Sequence, residues 1–564
     1  MDIYAYRNII GSRESFYFLR QVMVIVGLFT AGLIPAGVIR KRLPGKRDML
    51  LAFPLGLSLF GVSGFLLLIF GVRLSVHNII VLYILLMAAF IAYVRLRPCD
   101  AGQQLYFADE EVPAGDLPDK GSFKEEENKK NSCRDAAFAA AGYAVVILAA
   151  LFSCSGILSQ IVTNDSVYYY SMYPSILVHD GFISASLDKY LTDVGQTTAV
   201  IQCLPFLFDF DQSFGIQHFL NINFILIFFT GLYEAFSGFY DLCKPYRRGE
   251  SGILCKPRNR GEVGNLCKPG FSFAAALLGT LFLVSCEPFI VLSKWILSNV
   301  YFMDFLFIVF LLELTAGGGG RGSDNTFPDR AEERLLDFRI LFMSAFLIMS
   351  RMEGGVLVFV LALAFSVLPI RKEKLLIHFA LPLCIMEVGY YGMIYLRIGI
   401  DPLYSFLDPK TALLMVGLIV ALMVYIILIR DRIKNAYLPL LLLILLTLGN
   451  AGLLFINSGR YLTNLKAFFL NVRLGNGWGL FLIMIVIYCI MLIYELVRKR
   501  GRDIPVVLFL PAALVLAVIA VCFASGGVLA VRTSDSGNRV LMEIVPLLVF
   551  SVFVQGISYI RERS

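Results

Sequence analysis

Three groups of residues in this chain of 564 have the types and spacing to do chemistry. The first centres on Asp165, in the run Asn164-Asp165-Ser166-Val167-Tyr168-Tyr169-Tyr170. A carboxylate a few residues beyond an apolar segment, facing a partly desolvated surface, is placed to act as a general base. The same position suits an N-cap for the aromatic run that follows, because Asp caps helices well. Spacing alone leaves cap and base equally open. The second group is Ser350-Arg351-Met352-Glu353-Gly354-Gly355, between two short apolar segments. Arg and Glu two apart at such a boundary are costly to hold without a role; the alternative is a turn whose charges keep the segment ends at a polar surface. The third group is Arg397, Arg460 and Arg539, each in a short stretch between apolar segments. Arginine is the preferred side chain for bidentate phosphate binding, although a single boundary arginine is usually a snorkelling residue.

The elements that must position these residues are helices in a bilayer. Hydrophobic residues make up 58% of the chain, charged residues 16%, and the mean hydropathy is +0.76. A soluble chain carries closer to a quarter charged residues. Apolar stretches of roughly 17–25 residues recur along the chain, long enough to cross as helices that satisfy their own backbone hydrogen bonds. They fall at about 21–39, 49–71, 77–94, 136–156, 217–235, 271–291, 300–316, 336–350, 354–370, 375–396, 411–429, 436–456, 477–497, 504–524 and 540–558. The pattern predicts an all-α integral membrane protein of about 15 spans (13–15, since the eighth and ninth are short enough to form one kinked or re-entrant unit). The first three spans, within 1–94, read as an accessory unit. Residues 95–135 read as a solvated linker, and 136–564 as the main transmembrane region.

Charge sets the expected orientation. Of the 49 Lys and Arg, 35 lie in one alternate set of loops and 14 in the other, counted with the N-terminus. Basic residues favour the cytoplasmic side, so the N-terminus is expected outside and the C-terminus inside a plasma membrane. The same distribution explains the net charge of +7 without nucleic acid. Asp165, Arg351, Arg397, Arg460 and Arg539 then share the outer face. The longest outer loop, 157–216, contains Val167, Tyr170, Ile176 and Leu177, which suggest an interfacial amphipathic helix. The inner segment 236–270 repeats Leu-Cys-Lys-Pro at Leu242, Leu254 and Leu266 and reads as a duplicated insertion. The eleven cysteines and four histidines show no zinc spacing. Neither a metal nor another cofactor is expected. The N-terminal segment does not read as a cleavable signal peptide.

Asn164-Asp165-Ser166-Val167-Tyr168-Tyr169, followed by Ile176-Leu177-Val178-His179-Asp180-Gly181, resembles the first outer loop of the GT-C superfamily of membrane glycosyltransferases. The Arg351-Met352-Glu353-Gly354 turn is similar to an Arg-x-Glu-Gly turn of bacterial members. So are Tyr390-Tyr391-Gly392 through Arg397 to Asp401-Pro402, and Asn538-Arg539-Val540 to Pro546. The resemblance covers about 136–559. Three spans precede the matching region, and position 164 is Asn where a paired acidic motif would have a second carboxylate.

The resemblance implies a polyprenyl-phosphate-sugar donor and a glycan, lipid or protein acceptor at the outer membrane face. Asp165 would act as base, with Arg351, Arg397, Arg460 and Arg539 on the donor phosphate. Glu353, Tyr168, Tyr169, His179 and Asp180 would line the substrate. The rivals are a polymerase or ligase of lipid-linked glycans, a transporter or flippase, and an inactive scaffold. A transporter should place charges near span midpoints and show repeated halves. Glu313, Glu387 and Glu543 read as lying near span ends or within a turn or two of them, and no convincing inverted repeat is visible, which weighs against it.

Overall fold

The computed structural model describes residues 13–40, 44–96, 140–151, 172–184, 187, 195–210, 214–236, 269–286, 289–290, 293, 298–317, 330–351, 353–368, 370–399, 409–431, 437–472, 478–525, 539 and 541–563. Asp165, Tyr168, Tyr169 and the Cys-Lys-Pro repeat lie outside them, as does nearly all of the linker 95–135. Among the described residues there is no strand. The chain opens with α1 (Arg13–Arg40), α2 (Lys46–Phe70), α3 (Val76–Leu96) and α4 (Ala140–Leu151). Three short helices follow: α5 (Tyr173–Asp180), α6 (Gln196–Gln202) and α7 (Leu204–Phe208). The middle of the bundle is α8 (Phe214–Phe236), α9 (Pro269–Ser285), α10 (Ser298–Gly317), α11 (Arg330–Ser350), α12 (Gly354–Phe365) and α13 (Lys372–Ile398). The rest is α14 (Pro409–Val424, continuing as π-helix to Ile429), α15 (Leu438–Ile456), α16 (Ser458–Val472), α17 (Gly479–Arg498), α18 (Val506–Ser525) and α19 (Val545–Arg563). Nine helices among the described residues are long and apolar enough to cross a membrane. The protein is an all-α, multi-pass membrane protein.

The helices divide into a central and a lipid-facing set. In the apolar stretch of α10, 89% of residues are buried, and in that of α2, 78%. In α3 and α15 the share is only 17%. Exposed leucines and isoleucines such as Leu85, Leu448 and Ile490 on the outer helices face lipid, where an apolar side chain costs nothing. The centre is aromatic: Phe224 and Phe228 of α8, Phe307 and Phe310 of α10 and Phe550 of α19 pack with centroids 5.0–6.4 Å apart. Glycine allows α1 and α2 to touch. A Cβ on Gly32 or Gly56 would fall on the backbone carbonyl of Ala52 or Leu28, the close approach that drives helix pairing in lipid.

The N-terminal helices are built into this centre. α2 packs against α6, α8 and α11, and Asp48 at its start pairs with Arg339 of α11 at 2.6 Å, both side chains buried. Arg47 pairs with Glu234 of α8 at 2.6 Å.

Individual elements depart from the sequence expectation for local reasons. The helix expected at 336–350 begins at Arg330, because its first turns are charged and invisible to hydropathy. The segment between the spans expected at 436–456 and 477–497 contains α16, which buries Tyr461, Asn464 and Ala467 while exposing Leu462 and Phe469. In α13, Pro382 lacks the N–H that would close the turn on His378, and the turns on either side widen to π geometry.

Candidate functional site

The Arg351-Met352-Glu353-Gly354-Gly355 turn links α11 to α12, and the long loop holds it from above. Thr197 and Thr198 of α6 donate from their hydroxyls to the carbonyls of Phe346 and Ser350, at 2.9 and 3.0 Å. Gly195, at φ +90°, lies flat against Ser350, where a Cβ would collide with the Ser350 carbonyl. Gly355 lies equally close to the Glu387 carboxylate of α13. Small residues on both sides therefore bring three backbones and one carboxylate to a single turn.

Three segments contribute charge or hydrogen-bonding groups here: the 351–353 turn, the start of α10 and the residues just before α19. Arg351 donates from Nε to Glu353 Oε1 at 2.9 Å, and from Nη1 to Ser298 Oγ at 3.1 Å and Asn299 Oδ1 at 3.2 Å. Its Nε lies 3.6 Å from Glu543 Oε1, which also accepts from Asn299 Nδ2 at 2.7 Å. The Arg351 side chain is 16% exposed, Glu353 4% and Glu543 0%. Arg539, four residues before Glu543, is within its electrostatic reach. Two carboxylates are thus set against two guanidiniums in a nearly dry site. This balance is what makes burial of the group tolerable. A small cavity lined by Phe289, Ser293, Asn299, Val300, Met303 and Met542 adjoins it.

The other sequence-predicted residues lie elsewhere. Arg397 ends α13 and reaches across to the C-terminus of α2. Its Nη1 donates to the Leu68 carbonyl at 3.3 Å, its guanidinium covers Gly71, and its Cζ is 5.8 Å from the Phe182 ring centroid. A cation at a helix C-terminus is favourable in itself. His179 and Asp180 end α5, mostly exposed, with His179 Nδ1 3.0 Å from Asp180 Oδ1. Gly181 follows in the left-handed region and its carbonyl accepts from Leu74 N at 2.9 Å. Arg397, His179 and Asp180 are therefore grouped around the 71–75 and 179–182 turns. Arg460 is on α16, whose neighbours are α15 and α18. Of the four arginines assigned to a phosphate, Arg351 lies 3.6 Å from Glu543 and Arg539 is within electrostatic reach of the same carboxylate, while Arg397 and Arg460 lie elsewhere. Cys203, buried under α5, donates its thiol to the Ala199 carbonyl at 3.3 Å. Burial pushes that thiol up, so it is no nucleophile.

A second polar cluster occupies the opposite end. His378 of α13 has Nδ1 2.5 Å from Glu313 Oε1 and Nε2 3.1 Å from Asp337 Oδ1. Only a doubly protonated ring can donate to both. Lys374 bridges Asp337 and Glu333, at 3.2 and 2.8 Å, and Arg371 reaches Glu333 at 2.8 Å. Asn299 and Glu313 are fourteen residues apart on α10, about 21 Å, so the two clusters mark opposite faces of the bundle. Among the described residues, no group of three or more His, Cys, Asp or Glu is arranged to hold a metal ion.

Sequence reasoning overlooked Ser298, Asn299 and Glu543 as parts of the first cluster, although the spacing of Arg539 and Glu543 was a usable signal. It also misplaced Glu387, which lies near the middle of α13 and is buried. Comparison with protein-family models, curated proteins and solved structures produced no match.

Proposed function

We propose that this protein is a membrane glycosyltransferase of GT-C type. It would move a sugar from a polyprenyl-phosphate-linked donor to an acceptor hydroxyl at the extracytoplasmic face. One observation carries the reading. Arg351, Glu353 and Glu543 gather, with Arg539 in electrostatic reach, in a nearly dry site at one end of the bundle that α6 clamps. The associated topology is about 15 spans with the N-terminus outside and the C-terminus cytoplasmic, α5 lying at the interface, and 236–270 inside. Donor, acceptor and surrounding lipid are the partners; the reaction as drawn uses no metal.

In this mechanism the acceptor oxygen attacks the anomeric carbon as the bond from that carbon to the phosphate oxygen breaks. Asp165 takes the acceptor proton, and the lipid phosphate leaves with the electron pair. Attack opposite the leaving group inverts the anomeric centre. Charge grows on the phosphate, where prepositioned guanidiniums act most strongly in a dry site. Arg539 and Arg351 are the candidates for this role. Arg351 would exchange a carboxylate for phosphate, which releases Glu353 to accept from a sugar hydroxyl. Arg397 with Phe182, His179 and Asp180 would form the outer lip of the acceptor groove. The second reading, a transporter of a lipid-linked or polar solute, is favoured by the buried carboxylates Asp304 and Glu387 away from the helix ends.

Binding of undecaprenyl phosphate to the purified chain tests the proposal. Arg539→Ala should weaken it about tenfold, by the loss of one charge-assisted contact of roughly 1.5 kcal/mol, while Arg460→Ala leaves it unchanged. Equal affinity in the wild-type and Arg539→Ala proteins would remove the donor site from this cluster.

A further inference from the structure

One buried carboxylate outside both clusters has no hydrogen-bond partner on either oxygen among the described residues. Asp304 lies in α10, six residues or about 9 Å beyond Ser298, on the helix with the largest buried share among the candidate spans. Its side chain is fully buried, and neither oxygen has a hydrogen-bond partner among the described residues. Natural proteins rarely leave such a group bare. An ionised carboxylate in this setting carries a desolvation penalty of several kcal/mol unless a cation accompanies it.

A second bare group lies at the same level. α8 and α10 run parallel, and their register is set by contacts of Phe224 and Phe228 with Phe307, at 5.7 and 5.0 Å, and by Gly231 against Leu311. One turn back from Phe307 on its α8-facing side is Asp304, and one turn back from Phe224 is Asn221. Asn221 is also fully buried, and both its amide atoms lack a hydrogen-bond partner among the described residues. Asp304 and Asn221 are thus two fully buried polar side chains without a hydrogen-bond partner among the described residues, on facing helices from distant parts of the chain. One turn further out, Gln202 of α6 donates to the Tyr301 hydroxyl at 3.4 Å, extending the polar side of α10 toward the outer clamp.

We propose that Asp304 and Asn221 form an intramembrane site for a monovalent cation, a proton or a sodium ion. The carboxylate supplies charge and the Asn221 amide oxygen a second oxygen ligand. Hard cations take oxygen ligands, and intramembrane carboxylates are the usual carriers in cation-coupled membrane proteins. Phe224, Phe305 and Phe307, the aromatic residues beside the site along α8 and α10, are all fully buried. The other titratable groups facing this level are His218 of α8, one turn outward, and Tyr301. Glu543 is outward at Asn299. Glu313 is inward, half a turn out of phase around α10, and paired with His378. From α11, Arg351 and Arg339 belong to the turn at one end and the Asp48 pair at the other. α12 carries no charged residue. The site does not depend on glycosyl transfer and would serve an enzyme or a transporter.

The test uses the purified full-length chain in detergent, with Asp304→Asn as the near-isosteric control. Thermal stability is measured in sodium chloride and in choline chloride at equal ionic strength. Modification of Asp304 by dicyclohexylcarbodiimide, which attacks protonated buried carboxyls, is mapped by peptide mass spectrometry across a pH series. If sodium is the ligand, sodium chloride raises the wild-type melting midpoint. It also lowers labelling about tenfold once its concentration is about ten times the dissociation constant. Asp304→Asn shows neither effect, and Asn221→Leu weakens both. If the proton is the ligand, labelling ignores sodium and falls about tenfold per pH unit above the carboxyl's titration midpoint. The proposal is overturned if Asp304 is unmodified at every pH and sodium has no effect, or if Asp304→Asn responds to sodium as the wild type does.

Discussion

Replacing Arg351 with alanine should strand two carboxylates. Glu353 and Glu543 are 4% and 0% exposed, and the guanidinium between them is only 16% exposed, so water cannot substitute for it. Removing one partner of a buried pair costs about 3–5 kcal/mol. Arg539 stays within electrostatic reach of Glu543, which places the expected loss near the lower end, about 3 kcal/mol. Arg351→Ala combined with Glu353→Gln should recover roughly half of that, because one of the stranded charges is gone and coupled residues are not additive. The assay is thermal unfolding of the purified chain in detergent, with the double variant as internal control. The pattern expected is a clear fall in midpoint for the single variant and partial recovery for the double. A single variant melting with the wild type would refute the reasoning, since Arg351 would then not be what balances the site.

Other consequences follow from equally local geometry. Asp48→Asn leaves Arg339 buried without its carboxylate, and should lower stability by about 3 kcal/mol in the same unfolding assay. Gly195→Val forces a β-branched residue to φ +90° against Ser350 and should cost about 1–3 kcal/mol, read as a lower melting midpoint and faster proteolysis of the 157–216 loop. Deleting 242–268, which contains the Cys-Lys-Pro repeat, should leave membrane insertion and the melting midpoint unchanged; aggregation of the deletion variant would count against a dispensable insertion.

What was legible in the sequence follows from how far its physical signals reach. The segment expected at 300–316 is α10, Ser298–Gly317, and that expected at 49–71 is α2, Lys46–Phe70. Long apolar runs must be helical in lipid, and that constraint is local. α16 was not legible, because an amphipathic helix has too little mean hydropathy to register as a span. Partners across the chain were hidden as well. Arg351 and Glu543 are separated by 192 residues, and Asp48 and Arg339 by 291. Packing alone decides such pairs. The Arg351–Glu353 contact was accessible because two-residue spacing at a tight turn leaves the side chains little choice. Arg397 shows the converse limit: its charge is visible in the sequence, but its use as a cap for α2 depends on a helix more than three hundred residues away.

The central claim rests on Asp165 as base, and it is tested most directly by the transfer rate of Asp165→Asn. Membranes containing the protein are loaded with radiolabelled polyprenyl-phosphate sugars, and loss of label from the lipid phase is followed. Asparagine keeps the size and most of the capping ability of aspartate but cannot accept the proton. The account predicts a normally folded variant that binds undecaprenyl phosphate like the wild type and transfers about two to four orders of magnitude more slowly. Transfer by Asp165→Asn at the wild-type rate would contradict it.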